Sequence, residues 1–187
     1  MEHKGTKVIE TERLMLRKFK IYDAEGIFKN WASDAEVTKY LTWEPHNSIA
    51  DTKELLKKWI RNYKEDNFYH WAIVLKEEEK LIGSISVVKS SEKTELAHIG
   101  YCLDKDYWNK GIMTEASKAV IDFLFTEVKY HCIQSSHDPR NGASGAVMKK
   151  CAMKHDGTLR QADYNNQGIC DACYYSILLE EYEGYSI

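Results

Sequence analysis

The chain has 187 residues, 43% of them hydrophobic and 12% aromatic, with a formal net charge of −3. That length and composition suit one globular domain over residues 1–187, large enough to bury a substantial core. The near-neutral charge leaves no broad basic footprint, which argues against direct nucleic-acid binding, and no apolar signal core or long apolar span argues for secretion or a membrane. Five cysteines, Cys102, Cys132, Cys151, Cys170 and Cys173, are an odd count without a signal peptide. They read as reduced thiols in a cytoplasm.

Taken in chain order, "TERLMLRKF" alternates Leu14 and Leu16 and predicts a first strand. "DAEGIFKNWAS" predicts a helix capped by Asp23, with Ala24, Ile27, Phe28 and Trp31 on one face. "DAEVTKYL" is a second short helix, and Pro45 ends that pattern. "SIADTKELLKKWIRNYKED" opens with Ser48 and an acid three residues later, Asp51, close to a capping box. The period then changes. "HWAIVLK" and "LIGSISVVKS" are strands joined by the charged turn "EEEK", and "ELAHIGYCLD" is a third strand. "GIMTEASKAVIDFLFTEV" is a strong amphipathic helix, "YHCIQSSHD" a strand, "GASGAVMKKCAM" a shorter helix and "CDACYYSILLEEY" the last strand. "ADYNNQG" reads as a surface turn. A strand, a crossover helix and a further strand imply a parallel pair, and the middle strands an antiparallel meander. The fold class is α/β (α+β): a mixed, mostly antiparallel sheet with helices on it.

The pair Cys170 and Cys173 has redox or zinc spacing, but on a strand that spacing points the thiols to opposite faces, and no second pair completes a metal site. Trp59 and Trp71 are assigned to the core, Tyr69 and His70 to its edge. The stretch "YWNKGIMTEA" lies between a strand and a helix. Residues Asn109 to Met113 therefore stand at a helix N-terminus, whose free N–H groups and dipole suit an anion. Gly111 permits close approach, Lys110 adds charge and Thr114 adds a hydroxyl in the first turn. An ordinary turn explains the same residues.

The full length resembles the GNAT superfamily of acyl-CoA-dependent N-acetyltransferases, and more closely its ribosomal-protein N-acetyltransferase branch. "ETERLMLRKFKIYDAEGIFKNWASDAEVTKYL", "HIGYCLDKDYWNKGIMTEA" and "NGASGAVMKKCAMKHDGTLRQ" carry the resemblance. It implies a GNAT fold with a splayed strand, acetyl-CoA as cosubstrate and no metal. By resemblance the loop of Trp108, Asn109, Lys110, Gly111, Ile112, Met113 and Thr114 takes the pyrophosphate. Backbone groups of Ile99, Tyr101 and Leu103 bond the pantetheine arm, in the manner of a strand added to a sheet edge. The chain departs from the family at Trp108, usually Gln or Arg; at Met113, usually Gly or Ala; and at Ala152, usually Gly.

The chemistry needs an ammonium to lose a proton and a thiolate to gain one. The tyrosine that many members place seven residues after an Asn is Met148 here, counting from Asn141. The ribosomal-protein branch implies Ser144 as proton donor and Asp163, in "RQAD", as the amine's base or orienting partner. Asn141 is implied to bond the pantetheine arm. Plainer readings stay open: Ser144 bonding its own backbone, Asn141 as a helix cap, Asp163 in a turn. An ordinary aspartate, pKa about 3.9, is a weak base near neutrality and needs burial or a relaying water. The acceptor is a protein N-terminus, or alternatively a small amine such as an amino acid, polyamine or antibiotic; a non-catalytic acyl-CoA sensor is the reading from another class. A homodimer is left open.

Overall fold

A computed structural model of the chain describes residues 1–184. Eight strands form one sheet in the order β1-β2-β3-β4-β5-β6-β8-β7. They are β1 Ile9–Glu10, β2 Leu14–Arg17, β3 His70–Leu75, β4 Lys80–Ser91, β5 Leu96–Leu103, β6 Cys132–His137, β7 Lys154–Asn165 and β8 Gly168–Leu178. Every neighbouring pair is antiparallel except β5 and β6, which α4 (Ile112–Phe123) connects as a crossover. This is the mixed, mostly antiparallel sheet that the sequence predicts.

Two cores sandwich the sheet. Trp71, Ile73, Ile85, Ile99 and Leu103 pack on one face against α4 and, through Met148, against α5 (Gly142–Lys150). Ala72, Val74 and Leu81 pack on the other face with Ile27, Trp31 and Leu56. Those residues belong to α1 (Ala24–Ile27), the π-turn that continues it (Phe28–Ala32), and α3 (Ile49–Asn62). A short α2 (Ala35–Thr38) precedes α3. Alternation along β3 thus feeds both cores, as a central strand must.

Ser48 and Asp51 form the expected capping box at the start of α3. Asp23 does something else. Its carboxylate accepts from the Lys20 N–H (2.7 Å) and from both Arg17 Nη atoms (2.8 Å), so it holds the preceding 3₁₀ turn and does not cap α1. Tyr69 and His70 are buried rather than near the edge. They lie where β3 begins, beside β4, and His70 sits against Phe19, Trp59 and Phe68. The last correction is β7, whose residues are exposed almost throughout, so no apolar alternation marks it. Asp163 stands on that strand, and the turn is only the two residues after it.

Candidate active site

The site begins where two strands part. β5 and β6 pair only at Leu96↔Cys132, Ala97↔Ile133 and His98↔Gln134. Beyond His98, β5 stays with β4 as far as Leu103, while β6 stays with β8 as far as His137. A gap opens between them. The Asp104 N–H donates to the Ile82 carbonyl across the β4 side (2.8 Å). Alternation then turns the backbone groups of Ile99, Tyr101 and Leu103 into the gap. Two of those carbonyls are engaged. Ser135 Oγ donates to the Ile99 carbonyl and Trp108 Nε1 to the Leu103 carbonyl, each at 2.9 Å.

At the gap's end the chain makes a 3₁₀ turn, Lys105–Tyr107, and enters α4 through two left-handed residues, Asn109 (φ 61°) and Gly111 (φ 74°). Asn and Gly tolerate that conformation where most residues do not. The first helical bond runs from the Glu115 N–H to the Gly111 carbonyl. The N–H groups of Ile112, Met113 and Thr114 therefore have no acceptor within the helix. The side chains of Ile112 and Met113 are buried in the core, so the departure at Met113 puts no bulk on the loop's outer surface. Trp108 folds back over Leu103.

The sequence reading missed Arg13. Its Nη1 donates to the Lys110 carbonyl (3.0 Å) and its Nε to Glu115 (2.7 Å), while Thr11 and the Arg13 N–H hold the other Glu115 oxygen. A second cation thus stands beside the loop with Lys110, whose ammonium lies over the Tyr107 ring. Nothing in "TERLMLR" announces this, because the partner residues lie about a hundred positions away. Free helical N–H groups, a left-handed glycine and the Lys110 ammonium fit a pyrophosphate, while Arg13, paired with Glu115, braces the loop.

On the α4 face of the gap, α5 brings up Asn141 and Ser144. Asn141 caps α5, accepting the Ser144 N–H at 3.4 Å, so its plainer role is real. The Tyr101 hydroxyl donates to the Ser144 carbonyl and stands 3.1 Å from Ser144 Oγ. Burial pushes the Tyr101 phenol well above its ordinary value, which keeps it protonated. Only the Tyr101 backbone was expected at the site; strand alternation with Ile99 and Leu103 could have placed its ring beside α5. Met148 is core. The loop before α5 is anchored by Asp138, which accepts from Arg140 and from Asn165 Nδ2. The Arg140 guanidinium holds that carboxyl far below the usual range.

Asp163 is not among these groups. It is exposed, it pairs with Cys170, and its Oδ1 accepts the Tyr164 N–H at 2.9 Å. It lies toward the opposite face of the sheet, within electrostatic reach of His98. The tip of the β7–β8 hairpin crosses above this face. Asn166 Nδ2 donates to the carbonyls of Thr38 and Trp43, both at 2.8 Å. The candidates thus divide into a loop at the gap's mouth, Asn141, Ser144 and Tyr101 on one face, and Asp163 on the other. Tyr69 and His70 are sealed in the core; burial lowers the His70 imidazole to about 3.

Cys170 and Cys173 are both buried, Cys173 in the α4-face core and Cys170 beside Asn165. Among the described residues no three His, Cys, Asp or Glu side chains gather as a metal site, and no helix is long and apolar enough to cross a membrane.

A family model described as an acetyltransferase (GNAT) domain matches residues 13–154. The chain is 33% identical over 175 residues to an uncharacterized N-acetyltransferase, YnaD, of Bacillus subtilis (strain 168), covering 93% of this chain and 98% of that one. Its fold matches a GNAT-family acetyltransferase from Bacillus anthracis with a TM-score of 0.83 at 30% identity, over 94% of this chain and 100% of the other. It also matches RimL, a ribosomal L7/L12 α-N-protein acetyltransferase in complex with coenzyme A, with a TM-score of 0.84 at 20% identity, over 94% and 100% of the two chains.

Proposed function

The chain belongs to the GNAT acetyltransferase family and is an acetyl-transferring enzyme; from that premise we propose that residues 1–187 act as one domain that moves acetyl from acetyl-CoA to the α-amine of a protein N-terminus, with ribosomal proteins as the first candidates. The observation that carries this is the gap between β5 and β6, with the Ser144 and Tyr101 hydroxyls on the face that α5 covers. The ribosomal assignment is supported by the named activity of RimL, which shares the fold. The Asn166 bridge roofs the face that carries Asp163, which suits an acceptor entering end-on, as a chain terminus does.

Acetyl-CoA supplies an activated acyl group when bound. The Ile112–Thr114 N–H groups and Lys110 hold the pyrophosphate, with Trp108, Asn109 and Gly111 shaping the loop and Arg13 bracing it. The backbone of Ile99, Tyr101 and Leu103, with the Asn141 amide, aligns the pantetheine arm. Ser144 Oγ gives its proton to the departing sulfur, oriented by Tyr101. On the opposite face Asp163 serves the amine, as base or as orienting partner. Asp163 is exposed to solvent, so its proton traffic runs through water or a neighbour. The enzyme works in the cytoplasm, where its five cysteines, none in a disulfide among the described residues, stay reduced.

The test is a panel of N-terminal peptides and small amines incubated with acetyl-CoA and read by mass spectrometry. Acetylated peptide α-amines with unmodified polyamines are expected. Turnover confined to a small amine replaces the acceptor class, and no thiol release with any amine leaves a non-catalytic acyl-CoA sensor.

A further inference from the structure

His98 is the residue at which the sheet opens. It forms the last β5–β6 pair, with Gln134, and β4 sets Lys89 opposite it. Alternation places it on the face away from Ser144 and Tyr101, since Ile99 and Tyr101 point toward α5. A polar side chain there, half-buried in the middle of a sheet, needs partners. It has them on β6. His98 Nδ1 lies 3.4 Å from Gln134 Oε1, and Nε2 lies 3.3 Å from Ser136 Oγ. Tyr174 on β8 closes the ring's side edge-on.

The proton's place is assigned from the orientation of the Gln134 amide, whose Oε1 faces the ring. Gln134 Oε1 can only accept, so Nδ1 carries the hydrogen and Nε2 keeps its lone pair. The Ser136 hydroxyl then donates to Nε2. Ser136 lies beyond the last paired residue of β6, where the strand borders the gap. Its own oxygen lone pairs are left to receive a proton from that side.

We propose that Ser136 and His98 form the proton relay that deprotonates the acceptor amine. The ammonium first loses one proton to Ser136 Oγ while the Ser136 proton passes to His98 Nε2 and on to solvent; as the free amine nitrogen then bonds the thioester carbonyl carbon, its second proton follows the same route. When the C–S bond breaks, the sulfur takes its proton from Ser144 on the other face. Return of the His98 proton to solvent and of a proton to Ser144 resets the site. Atoms and charge balance without a further reagent. The charged groups facing the imidazole are Lys89, which disfavours its cation, and Asp163, which favours it. Burial is the largest influence and lowers the imidazole below its ordinary value, so the base is neutral at working pH.

The relay rests on acetyl transfer at the gap, not on which amine is used. The test measures His98→Gln and Ser136→Ala against the wild type from pH 5.5 to 9.5, with a tripeptide amide and with spermidine as acceptor probes. His98→Gln should lower kcat at pH 7 by about 10²–10⁴-fold with the KM for acetyl-CoA unchanged. Its rate should then climb with the free-amine fraction. A variant within threefold of wild type, with the same pH profile, overturns the relay. The imidazole is also read directly in the wild-type protein, without any acceptor, by long-range proton–nitrogen NMR. A neutral His98 with its hydrogen on Nδ1, titrating below 6.5, is expected, and an Nε2–H tautomer overturns the relay whatever the kinetics. A wild type that turns over neither probe, with the expected tautomer, puts the fault in the choice of acceptor and not in His98.

Discussion

The Tyr101 hydroxyl spans from β5 to the first turn of α5, donating to the Ser144 carbonyl and lying 3.1 Å from Ser144 Oγ. One side chain therefore fixes both the distance between the splayed strand and the helix and the direction of the serine. The phenol stays protonated in its buried setting, so it works as a donor and not as a charge.

The acid side of the mechanism is tested at that contact. Ser144→Ala should lower kcat by about 10²–10⁴-fold and leave the KM for acetyl-CoA near its starting value, because protonating the sulfur matters only in the transition state. Tyr101→Phe should cost less, roughly 2–10-fold in kcat, the equivalent of one hydrogen bond of about 0.5–1.5 kcal/mol. Steady-state kinetics on both variants decide it. A Ser144→Ala loss under about threefold leaves water as the donor.

Gly111 tests the cradle. It holds φ 74°, and a Cβ there meets only Arg13 Nη2, at 3.6 Å. Space is available, so the penalty for a side chain is conformational. Gly111→Val forces a β-branched residue into the left-handed region, at a cost of about 1–2 kcal/mol or more. The loop should relax to another shape, and acetyl-CoA should bind more weakly while the domain stays folded. Calorimetric titration with unchanged affinity would remove the loop from the cofactor site.

Ala152 tests a departure from the family that the fold makes intelligible. After α5 the Ala152 N–H bonds the Lys149 carbonyl and the Met153 N–H bonds the Met148 carbonyl, a Schellman ending with Ala152 at φ 57°. Glycine is the residue for that position, and alanine holds it under strain. Ala152→Gly should stabilise the protein by about 1 kcal/mol, a rise of roughly 2–4 °C in Tm. An unchanged or lower Tm in differential scanning calorimetry would show that the strain is offset by the flexibility glycine adds to the unfolded chain.

Much of this molecule is legible in its sequence, and the parts that are not share a cause. Strands with one buried face, such as Leu14–Arg17 and Leu96–Leu103, show their alternation, and α4 shows its stripe. β7 shows nothing because neither face is covered. Tyr69 and His70 look peripheral because the rings that cover them, His3 and Phe123 over Tyr69 and Phe19 and Trp59 over His70, come from other elements, and such contacts leave no local mark. The site divides the same way. The backbone of Ile99, Tyr101 and Leu103 and the loop at Gly111 follow from local pattern and resemblance. Arg13 on the loop, the Tyr101 ring on Ser144 and His98 between Gln134 and Ser136 are contacts made across the sheet.

Asp163 carries the last prediction. Whether it takes the ammonium proton itself or steadies an imidazolium on His98, Asp163→Asn keeps the size and removes the charge. Loss of that charge lowers the His98 pKa further, since the carboxylate is among the influences that raise it. A weaker base slows the reaction at pH 7. As pH rises, free amine accumulates and the need for a base fades, so part of the rate should return. An α-amine titrates near 7.7–8.0 and a lysine-like amine near 10.4. Recovery around pH 8 therefore marks a peptide N-terminus or another low-pKa amine, and recovery only near pH 10 marks an alkyl amine. A variant that keeps the full wild-type rate across the whole range shows that Asp163 is only an exposed residue of β7 and that the amine's proton leaves without its charge.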